Sequence, residues 1–225
     1  MLNTIEVHHK MKIIKASADI VYPTDFFGVL EHIERCGRVC YKSEHKITKS
    51  SAEDFVRKII ANGHLSVLEH FSVTARFVCD RGVSHEIVRH RIASYSQEST
   101  RYCDYSNDRF AGSITFIEPC FLEKGTDKYE QWAKECYVSE GTYLNFRKCG
   151  WNPQEARSVL PNAVKTELIM TANLREWRHF FRLRLSKQAH PQMREVALLL
   201  FDKMKKAIPV VFDDIEEMCL HNQSE

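Results

Sequence analysis

Two stretches of strict alternation, far apart in the sequence, constrain this chain more than any other feature. Phe71, Val73, Ala75, Phe77 and Cys79 alternate with Ser72, Thr74, Arg76 and Val78. Val164, Thr166, Leu168 and Met170 alternate with Lys165, Glu167, Ile169 and Thr171. Successive side chains of a strand point to opposite faces, so each pattern predicts a strand with a covered face. Apolar runs near 11–18 and 113–117 add two shorter candidate strands. Helical patterns lie between them. Asp25 is placed to cap a helix over Phe26–Gly37, and Ser50 with Glu53 reads as a capping box for the next. Thr126 opens the longest helix, which runs to Gly150 with Tyr129, Trp132, Ala133, Cys136, Tyr137 and Leu144 expected inside. Asn152, Pro153 and Glu155 form another cap, and His190-Pro191 begins a helix striped with Met193, Val196, Ala197, Leu200, Phe201 and Met204. The expectation is an α+β fold, a mainly antiparallel sheet packed with long helices, as a single domain over 1–225. The end of the chain after Cys219 is expected to fray.

The segment Arg89–Tyr102, RHRIASYSQESTRY, breaks these patterns. It offers almost nothing to a core, so neither strand nor helix is expected there, and it reads as a loop spent on ligand contacts. Arg89, Arg91 and Arg101 interleave with Ser94, Ser96, Ser99 and Thr100. Guanidinium forks give fixed bidentate donors and short hydroxyls complete the shell, a combination suited to phosphate. Other segments carry candidates with a plainer alternative beside each. GHLSVLEH, residues 63–70, places His64 and Ser66 just past a helix end, either as ligand contacts or as a tight connection. Arg157 taken alone fits a surface arginine better than a ligand contact, and capping explains Asn173, with Glu176 three residues on. In LREWRHFFRLRLSKQ, Arg175, Arg178 and Arg182 share a polar side, whereas Arg184 falls near Trp177 and Phe180. An arginine among aromatics requires a salt bridge, a stacking partner or a bound anion.

Several function classes are disfavoured. Lys and Arg number 32 against 30 Asp and Glu, which gives no general excess for coating nucleic acid. No apolar run reaches membrane-span length and no secretion signal is visible, so a cytoplasmic protein is expected. The eight cysteines are scattered without a Cys-x-x-Cys pair, the pattern of reduced thiols. His85 and His90 approximate a zinc motif but lie five residues apart, rotated ~140° on a helix against ~40° for a spacing of four, so no metal site is expected. A metal-dependent phosphohydrolase and a nucleotide- or RNA-binding module are the rival readings of the same residues.

Arg89-His90-Arg91, then seven residues, Ser99, and Arg101-Tyr102 resemble the signature of the flavin-dependent thymidylate synthases. The resemblance extends to His64-x-x-x-x-Glu69-His70, to Ala156-Arg157-x-x-Leu160-Pro161 and to Asn173-x-Arg175. It implies a methyltransferase that converts dUMP to dTMP, with methylenetetrahydrofolate as carbon donor and FAD reduced by NADPH as hydride source. It further implies a homotetramer with sites shared between subunits. By the same resemblance Glu86, Ile87, Val88, Arg89, Gln97, Glu98, Ser99, Thr100, Arg101, Arg157 and Arg184 surround dUMP, and Arg184 helps ionise the pyrimidine. Ser66, Arg89, His90, Arg91, Gln97, Asn173, Leu174, Arg175 and His179 face FAD, with His64 in the flavin and folate region. The chain departs from the signature at Gln97, where the family usually has a glutamate and where Glu98 stands next door, and at Gln188, where the family often has histidine.

Overall fold

The computed structural model describes residues 11–216, and the expected fraying after Cys219 lies outside them. In chain order the strands are β1 (Lys12–Ile14), β2 (Ser17–Tyr22), β3 (Ser72–Asp80), β4 (Ala93–Gln97), β5 (Thr115–Ile117) and β6 (Lys165–Asn173). The helices are α1 (Val29–Arg38), α2 (Ser51–Ala61), α3 (Arg81–Ile87), α4 (Asp127–Lys148), α5 (Pro153–Ala156), α6 (Leu174–Arg184), α7 (Pro191–Ala207) and α8 (Pro209–Glu216). The α+β class holds. The contacts group the chain into two compact units, each threaded from several stretches.

The larger unit takes in Ala16–Cys79, Val83–Gln97 and the chain from Glu167 onward. Its sheet is antiparallel and four-stranded, in the order β2-β3-β6-β4. Both alternating stretches form the expected strands: Val73, Ala75, Phe77 and Cys79 are buried from β3, and Leu168, Met170 and Ala172 from β6. Trp177, Phe180 and Phe181 of α6 and the predicted stripe of α7 cover them, joined by Val211, Phe212 and Ile215 of α8, a helix the sequence reading missed. The smaller unit holds the segment ending at Lys15, Asp80–Gly82 and Glu98–Thr166. There β1 pairs in parallel with β5, and Phe116, Cys136, Tyr143 and Val164 form a separate core.

Several local expectations need correction. The strand expected near 11–18 is two strands: β1 pairs with β5, whereas β2 pairs with β3 in the other sheet. The supposed loop Arg89–Tyr102 contains β4, paired with β6 from Ala93↔Ala172 to Gln97↔Leu168. An edge strand gains its backbone hydrogen bonds without burying much side chain, so polar composition does not forbid it. Helix α1 starts at Val29 after Gly28, whose φ of 72° is left-handed, while Asp25 only accepts a turn bond from the Phe27 N–H. Gly37 lies inside α1 rather than ending it. Ser50 precedes α2 without making the capping-box bond. The caps at Thr126, Asn152 and Asn173 form as expected. In α4, Tyr137 faces solvent while Glu140 and Tyr143 are buried; Glu140 accepts from the Ser113 hydroxyl and the Ile114 N–H, which explains a carboxylate inside.

Candidate active site

In the larger unit, the candidate side chains converge on α6 and the chain between α3 and β4. Asn173 ends β6 and caps α6, its side-chain oxygen accepting from the Glu176 N–H at 2.9 Å. Three turns later Arg184 leaves the same helix. Its Nε–H donates to His90 Nε2 at 3.1 Å, Nη1 to Glu86 Oε2 at 2.9 Å and Nη2 to the Glu86 carbonyl at 2.9 Å. The alternative of an internal salt bridge is therefore realised for Arg184. Its side chain is 18% exposed, and Glu86 remains a third exposed at 34%. Three of the five guanidinium N–H groups are engaged, which fixes the plane of the fork and leaves donors over.

His90 is enclosed. Its ring centroid lies 4.8 Å from that of Phe180 and 5.6 Å from that of His179, and Nδ1 is 3.0 Å from Glu176 Oε1. Burial, with Arg184 and then His179 adding repulsion, lowers its pKa to about 4, so the imidazole is neutral near pH 7. Burial likewise pushes the Glu176 carboxyl above its ordinary value. Burial and the neighbouring Glu176 raise Tyr95 to about 12, and the neutral phenol donates to the Ile87 and His90 carbonyls.

Beside this network the larger unit has a cavity of about 490 Å³, lined among others by Asn173, Arg175, Arg178, His179 and Arg182. Arg175 pairs with Glu69 at 2.6 Å. Arg178, expected on a polar face, is 1% exposed and forks onto Asp214 at 2.7 and 2.6 Å. Burial raises the Asp214 carboxyl, but hydrogen bonds and charge from Arg178, and charge from Arg182, outweigh this and hold it low. The Nε atoms of Arg178 and Arg182 are buried without a hydrogen-bond partner among the described residues. Three guanidiniums at one cavity, each also paired with a carboxylate, suit an anionic, hydrogen-bond-accepting ligand. His90, Glu176 and His179 also bring possible metal-ligand atoms within 4.8 Å of one another, a grouping that the His85–His90 spacing did not foretell. Both ring nitrogens of His90 are already engaged within the protein, Nδ1 by Glu176 and Nε2 by Arg184.

The remaining candidates of this unit are placed plainly. His64, Ser66, Arg89 and Arg91 are exposed, the first two at a 3-10 turn over Leu65–His70. Ile87 and Leu174 are core side chains, and Val88 packs against that core. The Leu174 N–H is taken by the Phe71 carbonyl. Gln97 donates to the Ser84 hydroxyl at 2.9 Å.

The smaller unit gathers a second set. Arg157 Nη1 donates to Thr100 Oγ1 at 3.2 Å, Arg101 Nε to Gln154 Oε1 at 3.0 Å, and the Arg101 N–H to Ser99 Oγ at 3.3 Å. Arg101 and Arg157 are exposed. Glu98 accepts from the Tyr105 hydroxyl at 2.9 Å and from Lys165 Nζ at 2.8 Å, so its carboxylate is already committed. Burial, then the charge and hydrogen bond of Glu98, raise the Tyr105 phenol. Sequence reasoning missed Glu176 as more than a capping partner, Asp214, and Tyr105. Only Glu176 had a local signal, three residues after Asn173; the others meet their partners through the fold.

Residues 26–210 match the family model described as thymidylate synthase complementing protein, Thy1. The flavin-dependent thymidylate synthase of Pyrococcus furiosus is 38% identical over 166 residues, covering 73% of this chain and 67% of its own. That of Mycolicibacterium vanbaalenii is 34% identical over 223 residues, covering 93% and 89%. The crystal structure of a UMP/dUMP methylase, PolB from Streptomyces cacaoi, bound with 5-Br dUMP, shares the fold at a TM-score of 0.75 and 21% identity, covering 92% of this chain and 97% of that one. With a family model over most of the chain and relatives above 30% identity along most of their length, the chain belongs to the flavin-dependent thymidylate synthases, a family of enzymes.

Proposed function

We propose that the protein converts dUMP to dTMP, and that it works as a homotetramer sharing its sites between copies, in the cytoplasm. The chemistry supplied by FAD when bound is hydride transfer after reduction by NADPH, with methylenetetrahydrofolate giving the carbon. The protein's own part is positioning and charge. The observation that carries the reading is the family match over residues 26–210, joined by a cavity along α6 lined by Arg175, Arg178, His179 and Arg182. An anionic dinucleotide such as FAD supplies acceptors for the donors that line this cavity, Asn173, Arg175 and His179 among them. Arg157, Thr100, Ser99 and Arg101 suit a nucleotide phosphate through a guanidinium fork and short hydroxyls. Arg184, its plane fixed by His90 and Glu86, stabilises negative charge developing on a pyrimidine, as preorganised cations do.

Titration of the purified protein with FAD tests this directly. Saturating FAD is expected to shift the flavin absorption bands and raise the melting temperature; at a hundredfold excess over Kd the stabilisation is about 2.7 kcal/mol. Neither change at saturating FAD would remove the flavin from the account.

A further inference from the structure

We propose that Glu176 is a positioning residue for Arg184, acting through His90: it fixes the imidazole proton on Nδ1 and so leaves Nε2 as the acceptor that aims the guanidinium. The proposal rests on the reading of Arg184 as the pyrimidine-facing cation. Three hydrogen bonds run in series along one path, from Glu176 Oε1 to His90 Nδ1 at 3.0 Å, from His90 Nε2 to Arg184 Nε at 3.1 Å, and from Arg184 Nη1 to Glu86 Oε2 at 2.9 Å.

The direction of each bond follows from what the atoms carry. An arginine Nε bears a hydrogen and no lone pair, so it only donates. His90 Nε2 must therefore accept, and a neutral imidazole with Nε2 as acceptor carries its proton on Nδ1. That proton points at Glu176 Oε1, an acceptor-only group when ionised. The ring cannot readily answer by turning. It is 4% exposed and packed against Phe180 and His179, while Tyr95 holds the His90 carbonyl. Glu176 is itself 7% exposed, in the first turn of α6, with its N–H taken by Asn173.

Without an acceptor at Nδ1 the imidazole is free to place its proton on Nε2. The Nε2–H would then face the Arg184 Nε–H, two donors head to head, and the fork would leave its plane. Glu176 and Arg184 sit at opposite ends of α6, and His90 joins them. A residue at the flavin end of the helix thereby sets the geometry of the arginine at the other end. His90 thus has a role besides the flavin contact implied by the family signature.

The test is a mutant cycle read by calorimetric binding of dUMP to the FAD-loaded protein, with dTMP formation measured alongside. Glu176→Ala is expected to weaken dUMP binding about tenfold, the effect of a lost buried hydrogen bond. Glu176→Gln, whose amide oxygen still accepts from Nδ1, recovers most of that loss. In an Arg184→Ala background, Glu176→Ala adds no further loss, because both changes act on one contact. Glu176→Met, of similar length and without a carboxylate, replaces the alanine variant if that fails to fold. Equal losses in the Gln and Ala variants, additive losses in the double variant, or unchanged binding in Glu176→Ala would each overturn the proposal. Native protein that binds no dUMP would overturn the functional reading, and this proposal with it; native activity beside an additive cycle overturns this proposal alone.

Discussion

His90 and Glu176 form a buried pair whose titrations oppose each other. His90 drops to about 4 in the folded protein, through burial and then Arg184 and His179, against 6.5 in the unfolded chain. Its stabilising contribution is complete above pH 6.5 and is lost as pH falls toward 4, because the unfolded chain takes up the proton first. Glu176 is raised above its ordinary 4.5 by burial, so its ionisation costs stability as pH rises past that value. The two slopes partly cancel just above pH 4.5. Glu176→Gln removes one of them, so its melting temperature is expected to fall more steeply than the native one between pH 6.5 and 4.5. Parallel melting curves across that range would show that the pair does not titrate as described. Helical spacing near Trp177 and Phe180 requires a partner for Arg184, but Glu86 in α3 and His90 just beyond it lie far away in the sequence. Helical spacing predicts a need; only the fold names what meets it.

At the scale of elements, α1 and α2 meet at a glycine. A Cβ on Gly37 would lie 2.5 and 2.8 Å from the Phe55 ring and 3.0 Å from Val67 Cγ1. The ring is also engaged by Arg38, whose guanidinium carbon stands 4.7 Å from its centroid. Gly37→Ala gains helix propensity of up to about 1 kcal/mol, while overpacking costs about 1–3 kcal/mol, so net destabilisation is expected. Thermal melting checks it: a fall of several degrees is expected, and an unchanged or raised midpoint would mean that Phe55 yields without cost. The same glycine shows why some boundaries were illegible. In the sequence, a glycine at a helix terminus and one at a helix crossing look alike. β4 was hidden for a related reason, since an edge strand is held by backbone pairing and needs no hydrophobic alternation. β3 and β6, which bury a face, were legible almost residue by residue.

For the whole molecule, fold class and family were legible and assembly was not. Periodicity reported the buried faces, and the run from Arg89 to Tyr102 supplied a signature that the family match over residues 26–210 bears out. The structure collects the candidate residues into two groups, each within its own unit: Glu86, His90, Asn173, Arg175, His179 and Arg184 in one, and Ser99, Thr100, Arg101 and Arg157 in the other. Among the described residues no helix is long and apolar enough to cross a membrane. The central claim is that this chain methylates dUMP with reducing equivalents passed through FAD. Purified protein should be supplied with dUMP, methylenetetrahydrofolate and NADPH, with and without FAD, and the nucleotide products identified by mass. The account predicts dTMP that accumulates over many turnovers and depends on FAD; FAD-loaded, folded protein that leaves dUMP unchanged would contradict it.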